Sequence, residues 1–224
     1  MENDIIAIVM AAGKGTRMKS KNSKLVQKIY GKEIVKRAVE NAQKAGVRDI
    51  VAVVGYKKEE VMKVLGDNIK YAYQDEMLGT GHAVMQAKEY LKGKKGKVLV
   101  LNGDVPLISP ESLNKLIEKS IENKEYATLL TAIYDDPTGY GRIVRDEGGN
   151  IEGIVEEKDT TEEQKKITEI NAGIYCFDIE ALLDALEKIT PNNKQGEYYI
   201  TDVIQIMNDR GLKTGAVLVE DNTE

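Results

Sequence analysis

Short apolar runs alternate with amphipathic segments along the first half of the chain. Residues 5–10 form a continuous apolar run rich in β-branched side chains, which is typical of a strand buried on both faces of a parallel sheet. Runs of this kind predict strands at 5–10, 50–54, 69–73 and 98–101. Apolar residues at helical spacing predict helices at 34–45, 61–65, 80–91 and 110–121. Repeated β-α-β units predict a parallel sheet with helices on both faces.

Capping residues predict where several of these helices begin and end. Ser109 followed by Pro110 predicts a helix start, because serine caps the first amides and proline suits the first helical position. Thr80 is a second predicted N-cap. Gly46 and Gly66 predict helix ends.

The second half of the chain has a different pattern. Strands are predicted at 127–134, 142–145, 151–156, 170–177 and 214–219, with helices at 179–186 and 199–209. The turn sequence Glu-Gly-Gly-Asn at 147–150 predicts a β-hairpin. The charged segment 156–166 is interpreted as a solvated excursion. The predicted fold class is α/β, with a mostly parallel sheet, helices on both faces and a β-hairpin excursion in the second half.

Composition and charge limit the class of protein. The 224 residues suit one large domain, or a domain with an appended hairpin region. A net charge of −5 argues against a nucleic-acid or membrane partner. One cysteine excludes an internal disulfide, and one histidine argues against a zinc site. With no apolar run near the roughly 20 residues of a membrane span and no room for a signal peptide, we expect a cytoplasmic enzyme or binding domain.

The motif A-A-G-K-G-T-R-M at 11–18 follows the first predicted strand. Gly13 and Gly15 would let backbone amides approach an anion, and Lys14 and Arg17 add charged donors for phosphate. The third glycine of the dinucleotide fingerprint is missing, and no G-x-x-x-x-G-K-[ST] loop occurs. A glycine pair alone fits a plain turn equally well.

Asp104 lies just after the predicted strand 98–101, in the motif Asn-Gly-Asp-Val-Pro. Mg²⁺ takes one or two protein carboxylates and completes its shell with water and substrate phosphates, so one aspartate beside a phosphate loop can anchor a metal–nucleotide complex. The alternative is a turn aspartate that caps backbone amides. Lys24 is either a solvated surface charge or a group that neutralises the triphosphate, and we favour the second interpretation.

Gln74 follows the third predicted strand and begins the motif Q-D-E-M-L-G-T-G-H-A. Its amide carries a donor and an acceptor, as recognition of a base edge requires. Gly79 and Thr80 lie at a predicted helix start, a favourable place for an anion or a hydroxyl. His82 is interpreted as a packing residue. The segment 195–202 is amphipathic and would dock the last helix.

Taken together, seven ordered motifs resemble the uridylyltransferase domains of the bacterial bifunctional N-acetylglucosamine-1-phosphate uridylyltransferases/glucosamine-1-phosphate acetyltransferases. The motifs lie at 11–18, 74–83, 102–108, 135–143, 153–159, 169–174 and 196–202. The resemblance implies a Rossmann-like nucleotidyltransferase domain over residues 1–224. It also implies a cytoplasmic, Mg²⁺-dependent enzyme of cell-wall precursor synthesis, which transfers UMP from UTP to N-acetylglucosamine 1-phosphate and forms UDP-N-acetylglucosamine and pyrophosphate.

The resemblance also implies roles for individual residues. Catalysis would use Arg17, Lys24 and Asp104, with Asp104 as the Mg²⁺ ligand. The sugar would be held by Gly141, Glu156 and Asn171. The nucleotide would be held by Met10, Ala11, Ala12, Gly13, Lys24, Gln74, Gly79, Thr80, Asn102 and Gly103.

Several positions depart from the pattern of that family. Met10 replaces a usual leucine, Ser23 a common proline, and Asn102 an often aromatic residue. The printed chain stops at Glu224, before the family's G-V-N-[DN]-R segment with its second metal ligand and before the β-helix acetyltransferase domain. The expectation is a monomer or weak dimer, and the alternative function is a nucleotide-sugar-binding domain with little turnover. A nicotinamide oxidoreductase is disfavoured because residues 55–58, Gly-Tyr-Lys-Lys, lack its ribose-binding acid.

Overall fold

The computed structural model describes residues 5–15 and 22–219. Across these residues the strands are β1 (Ile6–Ala11), β2 (Lys28–Ile29), β3 (Lys32–Glu33), β4 (Asp49–Val54), β5 (Lys70–Tyr73), β6 (Lys97–Asn102), β7 (Ala127–Ile133), β8 (Arg142–Arg145), β9 (Ile151–Val155), β10 (Glu169–Asp178) and β11 (Thr214–Leu218). The α-helices are α1 (Ile34–Lys44), α2 (Lys58–Leu65), α3 (Thr80–Gln86), α4 (Lys88–Leu91), α5 (Pro110–Glu122), α6 (Ile179–Leu186) and α7 (Asp202–Asp209).

Most of the strands belong to one mixed sheet. The order of neighbours is β11-β7-β10-β6-β1-β4-β5, and β8 joins β10 to β9 at the side. The pairs β1–β4, β1–β6, β4–β5 and β7–β11 are parallel, whereas β10 is antiparallel to both β6 and β7. The predicted fold class is confirmed, including the hairpin excursion, which is formed by β8 and β9.

The hydrophobic core lies on both faces of the sheet. In β1, Ile6 and Ile8 pack on one face with α3, α4, α6 and α7, while Ala7 and Val9 pack on the other with α1, α2 and α5. Successive side chains of a strand alternate between faces. A central strand covered on both sides must therefore be apolar throughout, as the run at 5–10 predicts.

The order of strands opens a crevice at the carboxyl ends of β1 and β6. From β1 the chain proceeds to β4 and β5 on one side, and then returns to place β6 on the other side. Loops that leave neighbouring strands in opposite directions make a crevice where open α/β sheets bind ligands. The two phosphate-related motifs follow these two strands.

One predicted helix differs in the structure. The segment 80–91 contains two short helices, α3 and α4, divided at Ala87, and the N-cap is Gly79 without a side-chain cap. The hydroxyl of Thr80 instead accepts a hydrogen bond from the backbone N–H of Ile200 at 3.0 Å. The expectation that Thr80 caps the helix is wrong, because a tertiary contact uses its oxygen.

None of the helices in the described ranges is long and apolar enough to cross a lipid bilayer.

Candidate functional site

A crevice of about 400 Å³ lies at the carboxyl ends of β1, β5 and β6. The loops that follow these strands form its walls, and most residues predicted to hold the nucleotide line it. The lining residues that the sequence predicted are Met10, Ala12, Gly13, Lys24, Gln74, Gly79, Thr80, Asn102 and Asp104. The structure thus brings three separate motifs together at one place.

Backbone contacts hold the loops of the crevice in place. The backbone N–H of Gly103 donates to O of Met10 at 2.8 Å, and that of Tyr56 donates to O of Ala12 at 3.0 Å. A Cβ at Gly13 would meet no atom within 4 Å, so the space beside Gly13 is open to a ligand. Ala11 and Gly103 do not line the crevice themselves. Arg17, predicted to contact phosphate, lies outside the described residues.

The cation and carboxylate predicted for catalysis are ion-paired. Nζ of Lys24 lies 2.8 Å from Oδ2 of Asp104, and the two side chains are 36% and 41% exposed. Lys24 begins a short 3₁₀ helix whose N-cap is Ser23, because Oγ of Ser23 accepts from the N–H of Leu25 at 3.3 Å. Since an exposed pair of this kind contributes at most about 1 kcal/mol, a phosphate and a cation can separate the two groups at small cost.

The acidic groups at the crevice fit a cation that arrives with the nucleotide. In residues 5–15 and 22–219 no three side chains of the His, Cys, Asp and Glu types cluster as metal ligands. Asp104 and Glu197 are the acidic residues among those that line the crevice. A divalent cation that takes one protein carboxylate and completes its shell with phosphates and water suits Mg²⁺ chemistry. Asp104 therefore fits the predicted role without a dedicated protein cage.

Gln74 lies at the buried end of the crevice. Its side chain is only 3% exposed, and its Nε2 donates to O of Gly79 at 3.0 Å. The backbone N–H of Gln74 continues the sheet by donating to O of Val54 at 2.8 Å. A buried amide fixed at both its backbone and its side chain can present a defined hydrogen-bonding group to a ligand.

The segment 197–201 is distant in sequence but packs against residues 78–81 and forms a wall behind them, with Glu197 as its member among the lining residues. The backbone N–H of Gly81 donates to O of Tyr198 at 2.7 Å, and that of Tyr198 donates to O of Leu78 at 2.8 Å. Together with the bond between Ile200 and Thr80, these contacts bring Glu197 to the crevice.

The three residues predicted to hold a sugar lie next to one another. A Cβ placed on Gly141 would lie 3.5 Å from Cβ of Asn171 and 3.6 Å from Oε1 of Glu156. Oγ1 of Thr201 donates to the same Oε1 at 3.0 Å, and Nδ2 of Asn171 donates to Oη of Tyr175 at 2.7 Å. This group of residues does not line the crevice itself. It is joined to the crevice wall through Thr201.

Burial, with a smaller contribution from neighbouring carboxylates, raises the pKa of two acidic side chains around this group. Burial raises the pKa of Glu156 above its ordinary value, against the opposing hydrogen bond from Thr201, and the nearby Asp202, Asp159 and Glu197 add to the rise. Burial also raises the pKa of Asp202 to about 6, with a further contribution from Asp159. Each of these two carboxyls therefore keeps its proton to a higher pH than an isolated side chain would, and the region carries less negative charge than the same residues would carry in water.

The Asp202→Asn variant is expected to lose less stability than the parent as the pH rises from about 4 to about 6. The folded-state pKa of about 6 lies above the ordinary value of 3.8, so the folded protein binds this proton more tightly than the unfolded chain. That stabilisation is complete below pH 3.8 and is lost as the pH rises through 6. The free energy of unfolding from urea titrations at several pH values, compared between parent and variant, measures the difference.

Asp209→Asn is the matched control, because Asp209 is an exposed aspartate at the other end of the same helix α7. Its stability should follow the parent's pH dependence. If the Asp202→Asn variant also ran parallel to the parent across this range, the raised pKa of Asp202 would be wrong.

Six lining residues were not among the predicted site residues. They are Lys14, Gly15, Leu25, Met77, Ala83 and Glu197. Most of them lie inside or beside the motifs already singled out, and Lys14 and Gly15 were noted there for phosphate chemistry. No sequence pattern singled out Met77 or Glu197 as a site residue, because only the folded chain shows that both side chains line the crevice.

Comparison with known proteins extends over nearly the whole chain. A family model described as nucleotidyl transferase matches residues 6–223. Curated relatives named Bifunctional protein GlmU are 52% identical over 217 residues in Caldanaerobacter subterraneus subsp. tengcongensis, 48% over 220 residues in Acetivibrio thermocellus and 51% over 210 residues in Clostridioides difficile. These alignments cover 97%, 98% and 94% of this chain, and 47%, 48% and 46% of the respective relatives. The chain thus spans about half the length of the curated relatives it matches.

A solved structure shares the fold at low sequence identity. It comes from Bacillus anthracis, is provisionally described as a glucose-1-phosphate thymidylyltransferase, and was solved in complex with a sucrose. The TM-score is 0.81 with 21% sequence identity, and the alignment covers 96% of this chain and 87% of the other. The fold is therefore shared with a protein whose sequence identity is far below that of the curated relatives.

Proposed function

This chain belongs to the nucleotidyl transferase family, and from that premise we propose that it transfers UMP from UTP to N-acetylglucosamine 1-phosphate. The products are UDP-N-acetylglucosamine and pyrophosphate, formed in the cytoplasm for cell-wall precursor synthesis, and residues 1–224 act as the uridylyltransferase domain. The main support is the crevice in which the glycine-rich turn, the pair of Lys24 and Asp104, and the buried amide of Gln74 face one another.

In the proposed reaction an oxygen of the sugar phosphate attacks the α-phosphorus of UTP. The bond from that phosphorus to the bridging oxygen breaks, and pyrophosphate leaves with the electron pair. The sugar phosphate is already ionised, so no protein base has to remove a proton. Catalysis then consists of alignment and of stabilisation of the charge on the reacting phosphate.

The residues proposed to bind the substrates and to neutralise charge lie in two neighbouring regions. Gln74 recognises the base, the backbone of the glycine-rich turn binds phosphate oxygens, and Lys24 neutralises their charge. Asp104 would hold Mg²⁺ together with the nucleotide phosphates. A bound Mg²⁺ supplies further neutralisation of the phosphate charge. Across the wall formed by 197–201, the group of Gly141, Glu156 and Asn171 positions the sugar.

The decisive experiment measures the release of pyrophosphate from UTP, N-acetylglucosamine 1-phosphate and Mg²⁺. We expect release that requires all three components, with CTP in place of UTP reducing the rate by on the order of a hundredfold or more, because cytosine lacks the imide N–H of uracil. Reactions that lack the sugar phosphate control for hydrolysis of UTP. Equal rates with UTP and CTP would contradict the role of Gln74, and UTP binding without any release would indicate the alternative, a nucleotide-sugar-binding domain with little turnover.

A further inference from the structure

The amide of Gln74 is held by its nitrogen end. Nε2 lies 3.0 Å from O of Gly79 and 3.1 Å from Nδ1 of His82. A carbonyl oxygen can only accept a hydrogen bond, so the amide nitrogen, and not the amide oxygen, must face Gly79. Both N–H groups are then used, and Oε1 of Gln74 makes no hydrogen bond to a residue in the described part of the chain. This oxygen is the group that Gln74 has left for a ligand in the crevice.

The imidazole of His82 lies between two amides. Its Nδ1 faces Gln74, and its Nε2 lies 3.1 Å from Nε2 of Gln86, which also donates to O of His82 at 3.1 Å. The ring of Tyr198 lies beside the imidazole, with the two ring centroids 6.4 Å apart. A neutral imidazole offers one lone pair and one N–H, so it cannot accept from both amides.

The burial of the two amides decides which of them donates its hydrogen bond to the imidazole. Gln74 is 3% exposed, whereas Gln86 is only partly buried and can turn toward solvent. A buried donor without a partner costs much more free energy than one that can reach water. The lone pair therefore belongs on Nδ1, facing Gln74, and the proton belongs on Nε2.

We infer that His82 is a positioning residue that fixes the direction of the Gln74 amide and so selects the base. With its nitrogen held by Gly79 and His82, Gln74 offers the crevice an acceptor only. A base with an imide N–H, such as uracil, satisfies that oxygen, whereas cytosine places a ring lone pair against it. The inference rests on the proposed function, since it assigns the choice of nucleotide in the same site.

The tautomer of His82 can be tested without any substitution. His82 is the one histidine in the sequence, so ¹⁵N NMR of the imidazole needs no further assignment. We expect a protonated Nε2 and an unprotonated Nδ1 at neutral pH. Protonation on Nδ1 instead would overturn the inference, because that nitrogen could not accept from Gln74.

A second test compares UTP and CTP binding to the parent and to the His82→Phe variant by calorimetry. We expect the parent to bind UTP more tightly than CTP. In the variant the ratio of the two affinities should fall about tenfold, which is the effect expected from the loss of one hydrogen bond. The exposed Lys88→Ala on α4 and Gln86→Leu, which leaves Nδ1 free to accept, should both keep the parent's ratio.

The two proposals fail in different ways. A merely structural role of His82 would weaken the binding of both nucleotides and leave their ratio unchanged, which would overturn the inference while the proposed function stands. If the parent itself did not prefer UTP, the role of Gln74 in base recognition would fail first, and the assignment of His82 with it, whereas the proposed transfer of UMP fails only when no pyrophosphate is released.

Discussion

Asp104→Asn is expected to lower the rate of pyrophosphate release by on the order of a hundredfold or more. The substitution removes the carboxylate charge that would hold Mg²⁺, and such an ion contributes several kcal/mol of charge stabilisation in the transition state. Each loss of about 1.4 kcal/mol slows the reaction tenfold. The side chain keeps its shape, and the ion pair with Lys24 is partly exposed, so the fold should lose less than about 1 kcal/mol.

Steady-state rates at saturating Mg²⁺ measure this effect. The matched control is Asp49→Asn. Asp49 is also an ion-paired aspartate, with Lys70 at 2.7 Å and Lys94 at 2.9 Å, but it begins β4 and therefore lies at the opposite end of the sheet from the crevice. The control should retain the parental rate. An Asp104→Asn rate within about threefold of the parent would exclude the proposed role of Asp104.

The Gly79→Ala variant is expected to lose about 3 kcal/mol or more of unfolding free energy. Gly79 has a φ of +108°, and a Cβ there would lie 2.5 Å from O of Tyr198 and 2.9 Å from its N. Backbone strain costs about 1–3 kcal/mol, and overpacking adds a similar amount. Because the clash is with backbone, the wall 197–201 has to move away, so UTP affinity should fall as well.

Urea unfolding at neutral pH measures this loss of stability. Gly46→Ala serves as the control, since Gly46 also has a positive φ, +86°, but a Cβ there would meet nothing within 4 Å. That substitution should cost only the backbone term of about 1–2 kcal/mol. The close approach of the wall would be refuted if Gly79→Ala were no more destabilising than Gly46→Ala.

Local chemistry made much of the fold predictable from the sequence. The strand at 5–10 was predictable because a central strand has no polar face, and the start of α5 was predictable because Ser109 accepts from the N–H of Ser112 at 3.0 Å, within the same turn. The interruption at Ala87 and the missing cap at Thr80 were not predictable. Thr80 bonds to Ile200, which lies 120 residues further along the chain, and no local pattern carries that information.

The candidate site was predictable where each motif follows its own strand. Met10, Asp104 and Gln74 line one crevice because parallel strands end at the same edge of a sheet. Glu197 was not predicted there, since a remote segment supplies it. His82 was interpreted as a packing residue, yet it contacts the amide of Gln74 at 3.1 Å. The assigned roles of all these residues, in binding and in catalysis, stay predictions.

The antiparallel strand β10 has a consequence for the order of folding. It lies between β6 and β7, so Glu169–Asp178 must be inserted between strands that end at Asn102 and Ile133. During synthesis, β1, β4, β5 and β6 are complete long before β10 leaves the ribosome. Pairings so distant in sequence slow folding. In that interval β6 has an unpaired edge, which is a template for wrong partners and for aggregation of the nascent chain.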